Sequence, residues 1–499
     1  MSALIKVDPA RKLGEVDPRI YGGFIEHLGR CIYGGIFDED SELSDEHGFR
    51  RDVMEAVCDL GLSVLRWPGG LFASGYHWVD GIGPRDARPR RLDLAWRAEE
   101  SNRFGTDEFL QYCRRVDAEP VICVNMGTGT IEEAAAWVEY CNGAGGTYWA
   151  GKRRANGFDA PHGVRYWCLG NEAYNRQAIG TLGAEDYVKR AVEFAKVMKM
   201  ADPTIQLIGS GLNGWSRWDR VVLEGLAPFV DFHSVHLYSG SPDYYSNVFG
   251  PHLAERAVRA CQGVIEGVRY QQGIRHPIHI AYDEWNVWFR AGTPPWDQWV
   301  ASNGGLEERY TLADALAVAT YLNAFVRYCP AVRMANIAQV VNVLAPILTS
   351  AEGIVRQTIF HPLRLFSRHM RGDSVDVHVE CDAHELHGET SPWPHRVADM
   401  GPFKVLDVTS VRDRSGVVNL AVVNRELERD VHARIEVPGA SGGSALELNA
   451  PSVETTNSFD CPAAVNVIER SLPEIGPSFA YTFPAHSLTL LRLAQETTG

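Results

Sequence analysis

The chain has 499 residues, too many for one ordinary core, so two or more domains are expected. It is 45% apolar and 22% charged, a soluble globular mixture, and its net charge of −15 argues against nucleic acid or an anionic membrane as partner. No run of about 18 apolar residues marks a transmembrane helix, and Met1–Pro9 has no apolar stretch of signal-peptide length. The ten cysteines form no CxxC pair, and Cys58, Cys123 and Cys168 sit in apolar helix or strand patterns. Reduced thiols and a cytoplasmic location are the expectation.

The first fifteen residues are strand-like. From about residue 18 to 385, short apolar runs alternate with helical patterns. The runs are Ile20–Glu26, Ser63–Trp67, Pro120–Asn125, Arg165–Asn171, Gln206–Gly209, Phe232–His236, Ile278–Asp283 and Met334–Gln339. Amphipathic stretches lie between them at Phe49–Leu60, Thr106–Arg115, Ile131–Cys141, Ala184–Met200, His252–Tyr270 and Arg309–Tyr328. Eight strand–helix alternations predict a parallel (β/α)8 TIM barrel. An open doubly wound sheet would alternate similarly, but no GxGxxG opens a helix after the first strand.

After residue 385 the pattern changes. Pro392, Pro394, Gly401 and Pro402 punctuate a linker-like stretch. Phe403–Val411, Val417–Val423, Val431–Val437, Phe479–Phe483 and Leu488–Leu493 then read as strands. The predicted division is an N-terminal strand (1–17) joining a C-terminal, jelly-roll-like β-sandwich (386–499), with the barrel (18–385) between them.

Two runs carry the chemistry: Trp167-Cys168-Leu169-Gly170-Asn171-Glu172 and Ile280-Ala281-Tyr282-Asp283-Glu284-Trp285-Asn286. Each places a glutamate where a β-prone run stops. In a barrel, functional side chains sit at the C-terminal ends of strands. By the count above, Glu172 ends strand 4 and Glu284 ends strand 7, across the barrel mouth from each other. Two carboxylates so placed are what glycosidic bond hydrolysis needs. Taken singly, either Glu reads as a first-turn helix or salt-bridge residue. The pair, each in an aromatic and amide-rich run, outweighs that reading.

Trp167–Glu172 resembles the acid/base motif of the family 51 glycoside hydrolases, the α-L-arabinofuranosidases. Asp283-Glu284-Trp285-Asn286-Val287-Trp288 resembles that family's nucleophile motif. Tyr21–Arg30, Arg66-Trp67-Pro68-Gly69-Gly70, Pro89–Trp96 and Ala338–Val343 extend the likeness from about residue 18 to 360. The resemblance implies a retaining, exo-acting enzyme that removes terminal arabinofuranosyl groups from arabinan or arabinoxylan oligosaccharides. Glu284 would be its nucleophile and Glu172 its acid/base. It further implies sugar contacts from Glu26, Asn171, Tyr238 and Gln339, no metal or other cofactor, and a homohexamer. Helix capping is the plainer role for Asn171, and core packing for Tyr238. Trp96, Trp296 and Trp299 are candidate apolar walls; subunit packing is the alternative for the latter two.

One position departs from the family, which usually has Asn after Arg-x-Pro-Gly-Gly. Here it is Leu71, which keeps open a different sugar specificity (a β-xylosidase or endoglucanase). A non-catalytic carbohydrate-binding protein is a third reading, opposed by the presence of both glutamates. His378, Cys381, His384 and His387 fall three apart, a superficially metal-like spacing in a segment that reads as a strand. Four arginines within Arg85–Arg91 lie near Asp86 and Asp93 and read as a solvated or ion-paired loop.

Overall fold

The computed structural model describes residues 3–290, 306–388 and 396–495. Eight parallel strands close into the barrel: Gly22–Phe24, Val64–Trp67, Glu119–Cys123, Tyr166–Leu169, Gln206–Gly209, Phe232–Ser239, His279–Val287 and Val332–Ala338. They follow one another around the barrel in chain order, so strands 4 and 7 are those carrying the two glutamates. Their residues alternate between two cores. Val64, Val121, Cys123, Tyr166, Cys168, Ile208, Phe232, Ala281 and Met334 belong to a small cluster that fills the barrel. Leu65, Trp67, Ile122, Trp167, Leu169 and Leu207 point the other way, into the large core beneath the helices.

Helix Ala184–Ala201 buries Ala184, Tyr187, Ala191, Phe194, Ala195 and Met198, one stripe at three- and four-residue spacing. The Tyr187 hydroxyl donates to the Leu169 carbonyl at 2.7 Å and accepts from the Ser210 amide at 2.9 Å. It thereby pins the ends of strands 4 and 5 together. Helix Leu312–Arg327 is buried on every face as far as Val326. The barrel covers one side and the sheet domain the other: Asn323 donates to Asp407 at 2.9 Å, and Arg327 bridges Glu255 and Asp407 at 2.5 and 2.9 Å.

The second domain is one nine-stranded ladder. Its order is Asn466–Leu472, Ala440–Asn449, Ser487–Gln495, Val418–Asn424, Leu406–Arg412, Asp373–Glu380, Ala3–Glu15, Val431–Glu436 and Ser478–Phe483. Ala3–Glu15 runs antiparallel to Asp373–Glu380 and parallel to Val431–Glu436. Ile5, Val375, Leu420, Ile435, Phe483 and Leu491, drawn from the middle and both halves of the ladder, share one apolar cluster, so the sheet closes over itself.

Two differences from the sequence reading matter for the site. The seventh strand does not stop at Asp283 but continues to Val287, with Glu284 inside it. Between Ala281 and Glu284 the strand carries one residue more than its neighbour Ser234–His236, and this bulge turns Glu284 toward the mouth. Likewise the sixth strand runs on to Ser239, which puts Tyr238 within it. Elsewhere, Asp373–Glu380 lies in the sheet domain, which therefore begins before residue 386. Helices Tyr148–Ala155, Arg217–Leu226, Tyr244–Phe249 and Phe360–His369 add to the six read from periodicity.

Candidate active site

Strand 2 supplies the charge at the centre. Arg66, fully buried, donates to Glu284 Oε1 at 2.8 Å and to Asn171 Oδ1 at 2.5 Å, and its Nε lies 3.5 Å from Asp283. The loop after it can come this close only because it is glycine. A Cβ on Gly69 (φ +156°) would lie 2.4 Å from Glu26 Cγ. One on Gly70 would lie 3.3–3.5 Å from Glu284, Asn171 and Glu26 together. Leu71 follows, half-buried, opening a short 3-10 turn to Ser74.

Strand 1 leads into Glu26, only 3% exposed. Its Oε1 accepts from the Phe72 amide (3.1 Å) and the Trp96 indole (3.0 Å), and its Oε2 from Gln339 at the end of strand 8 (3.1 Å). Burial, against the pull of the Phe72 amide and with the push of nearby Glu284, raises its pKa to about 8. Trp96 arrives on a hairpin, Arg91–Asp93 with Ala98–Glu100.

Asn171 and Glu172 follow the end of strand 4 at Leu169. Glu172 has φ +41°, a left-handed conformation in the turn beyond the strand. The next helix begins only at Ala184, after Gly183, so Asn171 caps no helix. Glu172 accepts from Tyr174 (3.1 Å) and Asn175 (2.8 Å) and shares a hydrogen bond with His236 Nδ1 (2.8 Å). On strand 6, Tyr238 donates to Glu284 Oε2 at 3.0 Å. His236 Nδ1 also lies 3.4 Å from Glu284 Oε2, and its Nε2 3.3 Å from Asp283 Oδ1.

One carboxylate oxygen of Glu172, one of Glu284 and a ring nitrogen of His236 all lie within 4.8 Å of one another. Three carboxyl groups (Glu172, Asp283, Glu284) thus crowd around two basic side chains, Arg66 and His236. Burial penalises the His236 cation, but the charges of Glu284 and Asp283 and its hydrogen bonds hold its pKa well above the ordinary value. Burial likewise acts against the Glu172 anion, yet the His236 contact, Asn175 and Tyr174 outweigh it and pull its pKa down. For Glu284 burial prevails: with the charges of Glu172 and Asp283 it outweighs His236 and Arg66 and leaves the pKa raised.

The structure therefore gathers Glu26, Asn171, Glu172, Tyr238, Glu284, Gln339 and Trp96 around one mouth, with Leu71 beside Gly70. Trp296 and Trp299 lie outside the described residues. His236, Asp283, Arg66 and Tyr174 are site residues that the sequence reading passed over. His236 had a signal: it precedes Tyr238 by two on one strand and so shares its face. The metal-like histidine spacing dissolves in the fold. His378 pairs with Glu380 at 3.0 Å on the surface, and His384 stacks on Tyr245 at 3.9 Å. Arg85 and Arg88 meet Glu108, Arg90 meets Glu99 and Arg91 meets Asp80, an ion-paired loop.

Comparison with known proteins gives the same picture. Two family profiles match, the α-L-arabinofuranosidase 1 domain over residues 56–250 and the α-L-arabinofuranosidase C-terminal domain over 283–487. The chain is 43% identical to a probable α-L-arabinofuranosidase C of Aspergillus clavatus, covering 99% of this chain and 97% of that protein. It is 38% identical to an intracellular exo-α-(1→5)-L-arabinofuranosidase of Halalkalibacterium halodurans, covering 92% of each. The α-L-arabinofuranosidase of Thermotoga maritima, solved as an arabinose complex, superposes with a TM-score of 0.90 at 38% identity, over 98% of this chain and 99% of that one. The family 51 enzyme of Thermotoga petrophila does so with 0.91, again at 38%, over 99% and 100%. With its barrel, its paired glutamates and these full-length relatives, the chain belongs to the family 51 α-L-arabinofuranosidases.

Proposed function

We propose that the protein is a retaining, exo-acting α-L-arabinofuranosidase in which Glu284 is the nucleophile and Glu172 the acid/base. The observation that carries the mechanism is the spacing. Carboxylate oxygens of the two residues lie within 4.8 Å, close to the ~5–5.5 Å of retaining enzymes. An inverting pair stands roughly 6.5–9.5 Å apart to admit a water. Glu284 is aimed by Arg66 and Tyr238, one on each oxygen, as a nucleophile that must attack along one line is aimed.

In the first step Glu284 attacks the anomeric carbon while Glu172 protonates the leaving oxygen. In the second, Glu172 takes a proton from water and the hydroxide oxygen displaces Glu284. Asn171, held by Arg66 beside Glu284, is the group to meet the sugar 2-hydroxyl. Glu26, Gln339 and Tyr238 offer polar contacts to other hydroxyls, and Trp96 an apolar wall. Substrates are arabinofuranosyl oligosaccharides, as the name of the Halalkalibacterium relative suggests. That relative's intracellular location and the ten unpaired cysteines support a cytoplasmic enzyme. No helix among the described residues is long and apolar enough to cross a membrane. The assembly proposed is a homo-oligomer, on family resemblance.

A second reading, a retaining glycosidase for another sugar, is favoured by Leu71 alone, an aliphatic residue next to Gly70 at the mouth. Release of nitrophenol from a panel of aryl glycosides decides. Turnover of the α-L-arabinofuranoside above the xyloside and glucoside supports the first reading. Turnover of either of the latter alone supports the second.

A further inference from the structure

We propose that His236 holds the acid proton in the resting enzyme, hands it to Glu172 through Nδ1, and takes back the proton that Glu172 draws from water. The inference rests on the roles given to Glu172 and Glu284 above.

Glu172 is a poor place to store a proton. Its Oε1 accepts from the Tyr174 hydroxyl and its Oε2 from the Asn175 amide, and such donors favour the carboxylate. An acid that must deliver a proton then needs a neighbour to hold it. His236 Nδ1, at 2.8 Å from Glu172 Oε1, is within direct transfer distance.

The other ring nitrogen fixes the direction of transfer. Nε2 faces Asp283 at 3.3 Å. Asp283 is itself held as an anion by the Ser234 hydroxyl at 2.5 Å and by Arg66 at 3.5 Å. An anion there keeps Nε2 protonated, so Nδ1 is the nitrogen that gains and loses the proton. The charged and titratable groups around the ring are Arg66 from strand 2, Glu172 from the turn after strand 4, Tyr238 from its own strand 6, and Asp283 and Glu284 from strand 7. Three carboxylates against the single Arg66 leave room for one more positive charge, and the imidazolium supplies it.

The site also changes charge where the cycle needs it to. In the first step the Nδ1–H bond breaks, its electron pair stays on the ring, and an O–H forms on Glu172. That O–H then breaks toward the glycosidic oxygen as the bond to the aglycone opens. Glu284, now an ester, no longer presents a negative charge 3.4 Å from Nδ1. The glycosyl-enzyme therefore has a neutral imidazole beside an anionic Glu172, ready to act as base. In the second step Glu172 takes a proton from water and the hydroxide oxygen bonds to the anomeric carbon. The ester electron pair returns to Glu284. Its restored charge draws the proton from Glu172 to Nδ1.

Nitrogen NMR of the full chain carrying 15N-histidine tests this at pH 7, before and after trapping the covalent intermediate with a 2-fluoro arabinofuranosyl inactivator. His236 should be cationic at rest and neutral in the trapped enzyme. The same charge state in both would overturn the proposal. If the label is absent from Glu284, the catalytic assignment fails. If it is on Glu284 and His236 is unchanged, only the proton-holding role fails. His236→Gln, which keeps an N–H donor but cannot titrate, gives a second readout. Its kcat/KM should fall ~100-fold on arabino-oligosaccharides and much less on an aryl substrate with a good leaving group. The alkaline limb of its pH profile should move to lower pH. A limb that stays or moves upward would mean that His236 only orients Glu172.

Discussion

Arg66 donates directly to Glu284 at 2.8 Å, and the second arm of the same guanidinium holds Asn171. One planar fork therefore sets the distance between the nucleophile and the amide proposed to read the sugar 2-hydroxyl. Lysine carries the charge without the fork. Arg66→Lys should lower kcat on an aryl arabinofuranoside by ~100-fold through misplacement of both partners. Arg66→Met, which takes from buried Asp283 and Glu284 one of their two cationic neighbours, should in addition destabilise the fold by about 3–5 kcal/mol, read from denaturant unfolding. A lysine variant with wild-type kcat would show that the fork is not needed.

Replacing the nucleophile removes the covalent route. Glu284→Gln should lower turnover by several orders of magnitude, and a mechanism-based inactivator should label the peptide containing Glu284. Attachment at the adjacent Asp283, which faces Arg66 and His236 instead, would overturn the assignment.

Glu172→Ala should spare the first step when the leaving group is already good, since a nitrophenolate departs with little acid help. Deglycosylation becomes limiting and a burst appears. Azide should restore turnover and give a glycosyl azide of retained configuration. An inverted azide would exchange the roles of the two glutamates.

Glu26 sets a pH dependence with a definite sign. Its pKa is raised by burial from 4.5 to about 8, so the native state holds a proton that the unfolded chain has released. Stability should fall as pH rises from about 4.5 to about 8, with an upper bound of ~5 kcal/mol from this group. Glu26→Gln removes that loss. The new amide is accommodated because Gln339 Oε1, buried without a partner, can accept from it once the Gln339 amide turns over. The difference in Tm between variant and wild type should therefore grow in the variant's favour from pH 5 to 8.5. A constant difference would show that Glu26 is ionised throughout.

Leu71 cannot hydrogen-bond a sugar hydroxyl, and a hydroxyl desolvated against it loses roughly 1–3 kcal/mol. Leu71→Asn should raise kcat/KM for the aryl α-L-arabinofuranoside by about tenfold to a hundredfold. A fall, with another glycoside remaining the better substrate, would point to a different specificity. No change would mean that Leu71 does not touch the sugar.

The barrel was legible because its strands are short, apolar and bounded. Helix Thr106–Arg115 was readable to the residue, since its apolar stripe starts and stops cleanly. Helix Arg217–Leu226 was not read, although Ser216 with Asp219 three residues on is a capping box in plain view. Asp373–Glu380 alternates Val375, Val377 and Val379 with polar residues, a half-buried strand signature. With no turn-rich linker before it, nothing in the sequence pattern separates it from the barrel. The two glutamates were visible as residues, but their approach was not. It depends on the left-handed Glu172 and on the bulge before Glu284, neither of which leaves a periodicity in the sequence. His236 was missed for a different reason: a histidine among Phe232, Val235 and Leu237 looks like strand filling until its facing carboxylates are known.

The strand Ala3–Glu15 lies between Asp373–Glu380 and Val431–Glu436, partners some 360 to 430 residues further along. The sheet is thus sewn from thread made before the barrel and thread made after it. The earliest segment must wait, unpaired, while the whole barrel is made, and contacts of such long range are slow to close. Until then the late strands have a gap in their ladder, six strands on one side and two on the other, with two raw edges open to pairing between chains. Assembly of the enzyme in a cell is therefore most exposed to aggregation after the barrel has formed and before its first strand comes home.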